Sequence, residues 1–184
     1  YIVIASLKKI TILALVFCWG LLAHAQEGNL SMSQYQLGSG DRINISVFGQ
    51  DDLSMEIRLP DVGTINYPFL GELKLVGMTA AEVESLIYEG LLGDYLVNPS
   101  VSVAIVEYRP FFIDGEVKRP GGYPYQPGLS VNKAAALAGG YTERANKDKI
   151  TIVRETDGQQ FEFSVSVTDM IQPGDIVTVN QRFF

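Results

Sequence analysis

Cysteine and histidine are almost missing from this sequence of 184 residues, which contains one of each. Cys18 and His24 both lie in the first 25 residues, a segment that we predict to be removed from the mature chain. Without them, thiol nucleophiles, Ser-His-Asp relays, zinc sites built from His or Cys, and disulfides are excluded together. Carboxylate, lysine and tyrosine chemistry remains for an enzyme, and we predict no metal and no cofactor.

The segment 1–25 has the features of a secretory signal peptide. Two lysines precede an apolar run over residues 10–23, and Ala23-His24-Ala25 has the small-x-small pattern of a cleavage site. The run is shorter than the roughly 20 residues that span a membrane, so we favour cleavage over a membrane anchor. Lipidation at Cys18 is the other alternative, disfavoured because a bulky phenylalanine precedes the cysteine.

Basic residues are also scarce, with 14 Lys and Arg against 21 Asp and Glu and a net charge of −7. Loss of Lys8 and Lys9 with the signal peptide leaves 12 basic residues and a net charge of −9. This balance disfavours a nucleic-acid partner. An acidic, thiol-free, exported chain fits a compartment of the bacterial envelope.

Two turns near opposite ends of the chain share their chemistry. Leu37-Gly38-Ser39-Gly40-Asp41 leads into the alternating residues 43–47, and Pro173-Gly174-Asp175 leads into residues 176–179. We expect the glycines to supply positive φ angles and each aspartate to hydrogen-bond the amides of its own turn. An alternative role for the two aspartates is to hold a subunit interface.

Residues 26–34 are predicted to be a flexible lead, and residues 35–109 a first module. Short strands are expected over residues 43–47, 56–59, 64–67 and 72–75, as a meander, with a further strand over 101–105. Thr79-Ala80-Ala81-Glu82 has capping-box spacing and predicts a helix start. The helix places Val83, Leu86, Ile87 and Leu91 on one face, and Gly93 marks its end.

Residues 110–184 are predicted to form a second module. A hairpin is expected over residues 111–125, followed by a short helix that Ser130 caps and that ends at Gly139-Gly140. Residues 150–154 are expected to pair with 161–165 across an Asp-Gly turn. This order predicts a β-grasp, a small sheet around one helix. The fold class is therefore α+β, with two small strand-rich modules in series.

The joint order of these motifs resembles the outer-membrane polysaccharide export proteins, in which a polysaccharide-export signature domain precedes a soluble-ligand-binding β-grasp domain. In the first domain the matching phrases are Tyr35-x-Leu37-Gly38-x-Gly40-Asp41, Gly63-x-Ile65-x-x-Pro68-x-x-Gly71, Gly77-x-Thr79-x-x-Glu82 and Tyr95-x-x-Asn98-Pro99-x-Val101. In the second they are Gly115-Glu116-Val117-x-x-Pro120-Gly121-x-Tyr123, Ala135-x-x-Ala138-Gly139-Gly140 and Pro173-Gly174-Asp175.

The resemblance implies a periplasmic, outer-membrane-associated protein that forms homo-oligomeric rings and lets polysaccharide out of the periplasm together with an inner-membrane co-polymerase. Larger members of the family continue into further domains and a membrane-crossing helix, whereas this sequence stops at Phe184. We therefore expect a short form that docks on a separate outer-membrane pore or on the co-polymerase.

The residues of these motifs are expected to be architectural and not catalytic. They are Gly38, Gly40, Asp41, Asn98, Pro99, Gly115, Pro120, Gly121, Gly139, Gly140, Pro173, Gly174 and Asp175. The best candidates for sugar or partner contact are Arg119, Tyr123, Tyr125 and Tyr141, although ordinary sheet packing is favoured for these aromatics. Asp51-Asp52 is weak evidence for an ion site, and Gly38-Ser39-Gly40 lacks the third glycine and the following helix of a dinucleotide site.

The function that we predict is a non-enzymatic part of a capsule or exopolysaccharide export machine, forming or docking on a ring-shaped conduit. A carbohydrate-binding or adaptor module without a conduit role is the alternative, and a polysaccharide-modifying enzyme is the third hypothesis. A glycosidase would need two carboxylates placed across a cleft, and the sequence offers acidic residues but no such constellation.

Overall fold

The structure is a computed structural model that describes residues 34–156 and 158–182, so the predicted signal peptide lies outside the described residues. Within the described part, ten strands, two α-helices and one short 3-10 helix follow one another. In chain order they are β1 (Arg42–Val47), the 3-10 helix (Asp51–Leu53), β2 (Met55–Arg58), β3 (Thr64–Tyr67), β4 (Gly71–Lys74), α1 (Ala80–Leu91), β5 (Val101–Glu107), β6 (Phe111–Gly115), β7 (Gly121–Tyr123), α2 (Val131–Leu137), β8 (Ala145–Thr156), β9 (Gln159–Val165) and β10 (Ile176–Gln181).

The first module, from β1 to β5, has a three-stranded antiparallel sheet in the order β2-β1-β5. Strand β1 buries every second residue, as its alternating sequence predicts. Helix α1 buries Val83, Ile87 and Leu91 in the same core as Ile43 and Ile45 of β1. The core of this module thus lies between the three-stranded sheet and one helix, and buried residues of β3 also belong to it.

Two glutamates of α1, Glu82 and Glu84, accept hydrogen bonds from backbone amides at the start of the helix and at the edge of the sheet. As predicted, Thr79 and Glu82 form a capping box. The Thr79 amide donates a 2.7 Å hydrogen bond to a carboxylate oxygen of Glu82. Hydrogen bonds from the Thr79 amide and hydroxyl lower the pKa of Glu82. Two residues further, Glu84 accepts a 2.8 Å hydrogen bond from the Val103 amide on edge strand β5.

The predicted meander of short strands is wrong in one respect. Strand β2 pairs with β1, whereas β3 and β4 form a separate two-stranded sheet. The chain leaves the first sheet at Pro60, which has no amide hydrogen to continue a ladder, and turns at Gly63, whose φ is +73°. The Gly63 amide closes this turn on the Pro60 carbonyl at 2.9 Å.

The second module, from β6 to β10, has a five-stranded mixed sheet in the order β7-β6-β10-β8-β9. The last strand, β10, lies between β6, to which it is parallel, and β8, to which it is antiparallel. Ser130 caps α2 through its hydroxyl, which accepts from the Lys133 amide. Because Ala134 and Ala135 are small, the helix packs closely against the sheet. A small sheet packed around one helix is the predicted β-grasp, which is thereby confirmed.

The two modules have separate hydrophobic cores within one compact unit. Three residues, Tyr108 to Pro110, connect the last strand of the first module to the first strand of the second. The α+β class with two modules in series is thereby confirmed, while the exact division into 35–109 and 110–184 stays a prediction. No described helix has the length and apolar character needed to cross a membrane.

Candidate functional site

The two glycine-aspartate turns bury the only two charged side chains that are fully buried in the described part of the chain, Asp41 and Asp175. A buried carboxylate is costly unless it is paired and hydrogen-bonded. Both aspartates accept from an amide of their own turn, Gly38 in one case and Gln172 in the other, each at 2.7 Å. These are the local hydrogen bonds that the sequence predicted.

Asp41 is held by donors from three parts of the first module. Its Oδ2 accepts from the Gly38 amide and from the Tyr35 hydroxyl at 2.7 Å, and its Oδ1 accepts from the Arg109 amide at 2.6 Å. The guanidinium of Arg109 lies 3.5 Å from the same carboxylate. Tyr35 in turn lies 3.0 Å from this guanidinium.

Asp175 forms a bidentate ion pair with Arg154. Nε and a terminal nitrogen of Arg154, on β8, donate to the two carboxylate oxygens at 2.7 Å each. This parallel arrangement is the strongest geometry that an arginine and a carboxylate form. Arg154 also lies over the Phe163 ring of neighbouring β9, 5.2 Å from its centroid. The buried aspartate of each turn is therefore paired with one arginine.

Arg109 touches both turns, and it does so in space that two glycines leave open. A β-carbon at Gly38 would lie 1.6 Å from a terminal nitrogen of Arg109, and one at Gly174 would lie 2.7 Å from its Nε. A β-carbon at Gly40 would approach the arginine less closely, at 3.4 Å. The Arg109 side chain therefore lies between the first turn and the last turn of the structure.

The expected reason for Gly38 is wrong. Gly40 and Gly174 have positive φ angles of +91° and +84°, as predicted for such turns, but Gly38 is not among the residues with positive φ. Glycine at position 38 is explained by the guanidinium of Arg109, which occupies the place of a side chain. Sequence alone does not reveal this, because the two residues are far apart in the chain.

Backbone hydrogen bonds tie the second turn to the connection between the modules. The Gly174 amide donates to the Pro110 carbonyl at 3.1 Å, and the Phe112 amide donates to the Asp175 carbonyl at 2.8 Å. We call Tyr35, Asp41, Tyr108, Arg109, Tyr125, Arg154 and Asp175, together with Gly38 and Gly174, the joint.

A row of tyrosines runs through the joint from one module to the other. Tyr108 meets the Tyr35 ring edge-on at 5.0 Å between centroids, and it meets Tyr125 of the second module in the same way at 5.6 Å. Burial raises the pKa of all three hydroxyls above the ordinary value, and the Asp41 charge adds to this at Tyr35 and Tyr108. All three phenols are therefore neutral at physiological pH.

The chemistry available at the joint is structural. Both carboxylates face donors that already belong to the chain, and neither has any exposed surface. Across residues 34–156 and 158–182, no group of three or more His, Cys, Asp or Glu residues is placed so that it could hold a metal ion. Asp51 and Asp52 lie exposed in the short 3-10 helix.

The remaining motif residues are placed at turns and close approaches. Gly115 has a φ of +75°, and a β-carbon there would lie 2.2 Å from the Val179 carbonyl oxygen on β10. Positive φ angles are also found at Gly121, Gly139 and Gly140. Asn98, Pro99, Pro120 and Pro173 lie in connecting segments, where Pro99 and Pro173 are buried and Asn98 and Pro120 are exposed.

The four residues predicted for sugar or partner contact do not form one surface cluster in the hydrogen bonds and ring contacts of the structure. Tyr123 donates to the Arg119 carbonyl at 2.6 Å, and Arg119 donates to the Leu137 carbonyl at the end of α2. Tyr125 belongs to the joint, and Tyr141 pairs with Val117 in an isolated bridge. All three tyrosines are partly buried against the second core. Their contact with sugar stays a prediction.

Two family models match the chain, in the order that the sequence suggested. The model described as polysaccharide biosynthesis/export protein matches residues 29–106, and the SLBB domain model matches residues 110–163. The chain belongs to the polysaccharide export protein family. The joint thus lies where these two matched segments meet, although its last turn lies beyond the SLBB match.

Three curated relatives illustrate the similarity. The exopolysaccharide production protein ExoF of Rhizobium meliloti is 33% identical over 61% of this chain and 30% of its own length. The EPS I polysaccharide export outer membrane protein EpsA of Ralstonia nicotianae is 26% identical over 80% of this chain and 48% of its own. For the polysialic acid transport protein KpsD of Escherichia coli the identity is 23%, over 77% and 25%. The chain spans about half the length of these relatives or less.

Proposed function

We propose that this protein is a non-enzymatic component of a machine that exports capsule or exopolysaccharide, located in the periplasm and associated with the outer membrane. The order of the two domain matches along the chain is the observation that carries the proposal. The names of the relatives, which refer to exopolysaccharide production, polysaccharide export and polysialic acid transport, support it.

The contacts of the joint support a function that depends on the shape of the protein. Each buried carboxylate is neutralised by an arginine, and the Arg109 side chain contacts both turns, so the two modules are held as one piece. A component with a fixed shape can repeat around a ring, because a head-to-tail contact closes only when every copy presents the same geometry. We therefore propose that the protein forms, or docks on, a homo-oligomeric conduit, with an inner-membrane co-polymerase and a separate outer-membrane pore as partners.

Deletion of the gene in the organism that encodes it tests the function. We expect the surface polymer to be lost and polymer to accumulate inside the cell envelope. A deletion strain that exports a normal amount of polymer with altered composition would instead indicate a modifying enzyme. Electron microscopy of the purified protein tests the assembly: closed rings support a conduit, whereas a persistent monomer that binds sugar supports an adaptor.

Complementation of the deletion strain connects export to the joint. The variant Arg109→Ala removes the side chain that contacts both turns, and we expect it to restore export poorly at equal protein level. The matched control is Arg42→Ala, which removes an arginine from exposed ion pairs with Glu56 and Glu107 in the same module. We expect this control to restore export fully.

A further inference from the structure

Phe69, at the tip of the β3-β4 hairpin, has a backbone conformation that phenylalanine rarely adopts. Its φ is +66°, and it is the one non-glycine residue with positive φ among those that the structure describes. A bulky residue in this region is strained. Burial does not compensate, because 65% of the residue is exposed to solvent. Such strain at an exposed aromatic residue suggests a role outside the folding of the chain.

The strained residue is held in place by its neighbours. The Phe69 ring stacks on the Tyr95 ring with 4.9 Å between centroids and 29° between planes. The next residue, Leu70, lies over α1 at Gly90, where a β-carbon would come within 2.8 Å of a Leu70 methyl group. The hairpin tip is therefore anchored to the helix, and it presents the aromatic pair at a fixed position. We call the stacked rings of Phe69 and Tyr95 the platform.

The charge around the platform restricts what it can bind. On the Tyr95 side, the sequence between Lys74 and Arg109 has no basic residue and five acidic ones. Two of these, Glu89 and Asp94, are exposed and close to Tyr95 in the chain. On the Phe69 side, strand β4 of the same hairpin has one exposed charge of each sign, Glu72 and Lys74. A polyanion would be repelled by such a surface. An uncharged ligand rich in hydroxyl groups would be tolerated, because carboxylates accept hydrogen bonds from hydroxyls.

We propose that the platform binds uncharged pyranose units of a glycan, an inference that rests on the proposed function. The apolar C–H face of a sugar ring packs on an aromatic ring through dispersion, and polar groups at the rim take the hydroxyls. One platform of two rings is a weak site. Weak sites suit a polymer that must enter and leave, and repetition over several copies of the protein raises the overall affinity.

Binding of short neutral glycans to the purified protein tests this inference. The probes are cellohexaose and dextran oligosaccharides, with hyaluronan oligosaccharides of equal length as the anionic comparison. By NMR titration we expect the neutral probes to bind weakly, with the largest shifts at the Phe69 and Tyr95 rings, and the anionic probe to bind at least tenfold more weakly. Neutral probes that leave both rings unshifted would overturn the proposal.

Variants of Phe69 distinguish the effect of its ring on glycan binding from its effect on folding. Phe69→Gly removes the ring without strain, since glycine accepts positive φ, and we expect at least a tenfold loss of affinity. Phe69→Tyr keeps a ring and should retain binding. The matched control is Phe48→Ala, which removes another exposed phenylalanine of the same module, 87% exposed, and should leave binding unchanged. Equal binding by Phe69→Gly and the wild type would contradict the proposal.

Three further outcomes distinguish a failure of this inference from a failure of the proposed function. Should Phe69→Gly change the sedimentation of the protein while glycan binding is unaltered, the platform is a contact between copies and the proposal fails. In cells, a deletion strain with unchanged export would contradict the proposed function itself. Full export by Phe69→Gly in a strain where deletion blocks export would contradict only the platform.

Discussion

Replacement of Asp41 by asparagine tests whether the joint depends on charge. Asparagine has nearly the same shape but only one accepting oxygen. In the structure Oδ1 faces the Arg109 amide, and Oδ2 faces the Gly38 amide and the Tyr35 hydroxyl. Whichever way the new amide is oriented, its NH₂ group points at a backbone donor. At least one buried N–H therefore loses its partner.

The size of the loss follows from these contacts. A buried donor left unpaired costs about 1–3 kcal/mol, and breaking a buried ion pair costs about 3–5 kcal/mol. Asp41 is fully buried, but the Arg109 side chain is 26% exposed, so water screens part of the unpaired charge. We expect Asp41→Asn to lower the free energy of unfolding by about 3 kcal/mol, a large share of the roughly 5–15 kcal/mol of a typical domain.

Urea unfolding followed by circular dichroism measures this loss. With a slope of about 2 kcal/mol per molar urea, the midpoint should fall by about 1.5 M while the slope stays constant. The control is Glu56→Gln, which breaks an ion pair with Arg42 in which the two side chains are 40% and 49% exposed. That pair should contribute less than about 1 kcal/mol. A midpoint for Asp41→Asn as high as that of the control would refute the reasoning.

Three further predictions concern the turns, the tyrosines and the platform. Gly174→Ala should destabilise the protein in urea by at least about 1 kcal/mol more than Gly128→Ala, since both glycines have positive φ but only the first would place a β-carbon against Arg109. Equal losses would mean that Arg109 moves aside freely. Because burial raises the pKa of Tyr35, the folded state keeps this proton when the unfolded state releases it, so stability should be complete below about pH 10 and fall above it. Unfolding measured from pH 8 to 11 should show a shallower fall for Tyr35→Phe, and identical profiles would contradict the assignment. Phe69→Gly should keep the free energy of unfolding within about 1 kcal/mol of the wild type, as relief of the strained φ offsets the lost stacking. A loss of about 3 kcal/mol would show that the ring is part of the core.

Local features of the fold could be predicted because their causes are local. The capping box of Thr79 and Glu82 and the antiparallel pairing of the consecutive strands β8 and β9 depend on residues close together in the chain. The aspartate turns belong to the same class, as each carboxylate accepts from an amide three residues away. In all these cases the sequence contains the interacting groups within one short window.

The joint could not be predicted, because its contacts connect distant parts of the chain. Arg109 was recognised only as the end of the first module, and nothing in its own neighbourhood indicates that Gly38 leaves space for it. The same holds for Arg154, which is predicted only as the last residue of a strand over residues 150–154. Two buried aspartates require two cations, but the burial itself is seen only in the structure.

The joint and the platform place different physical demands on the same chain. An export component that assembles with copies of itself needs a fixed shape, and the strong, buried contacts of Asp41 and Asp175 with arginine supply it. A surface that lets a polymer pass needs the opposite, a contact weak enough to be released at each step. Phe69 and Tyr95 meet this demand, since both side chains are exposed to solvent. If both proposals hold, variants of the joint should lose assembly and export together, whereas variants of the platform should assemble normally and export slowly.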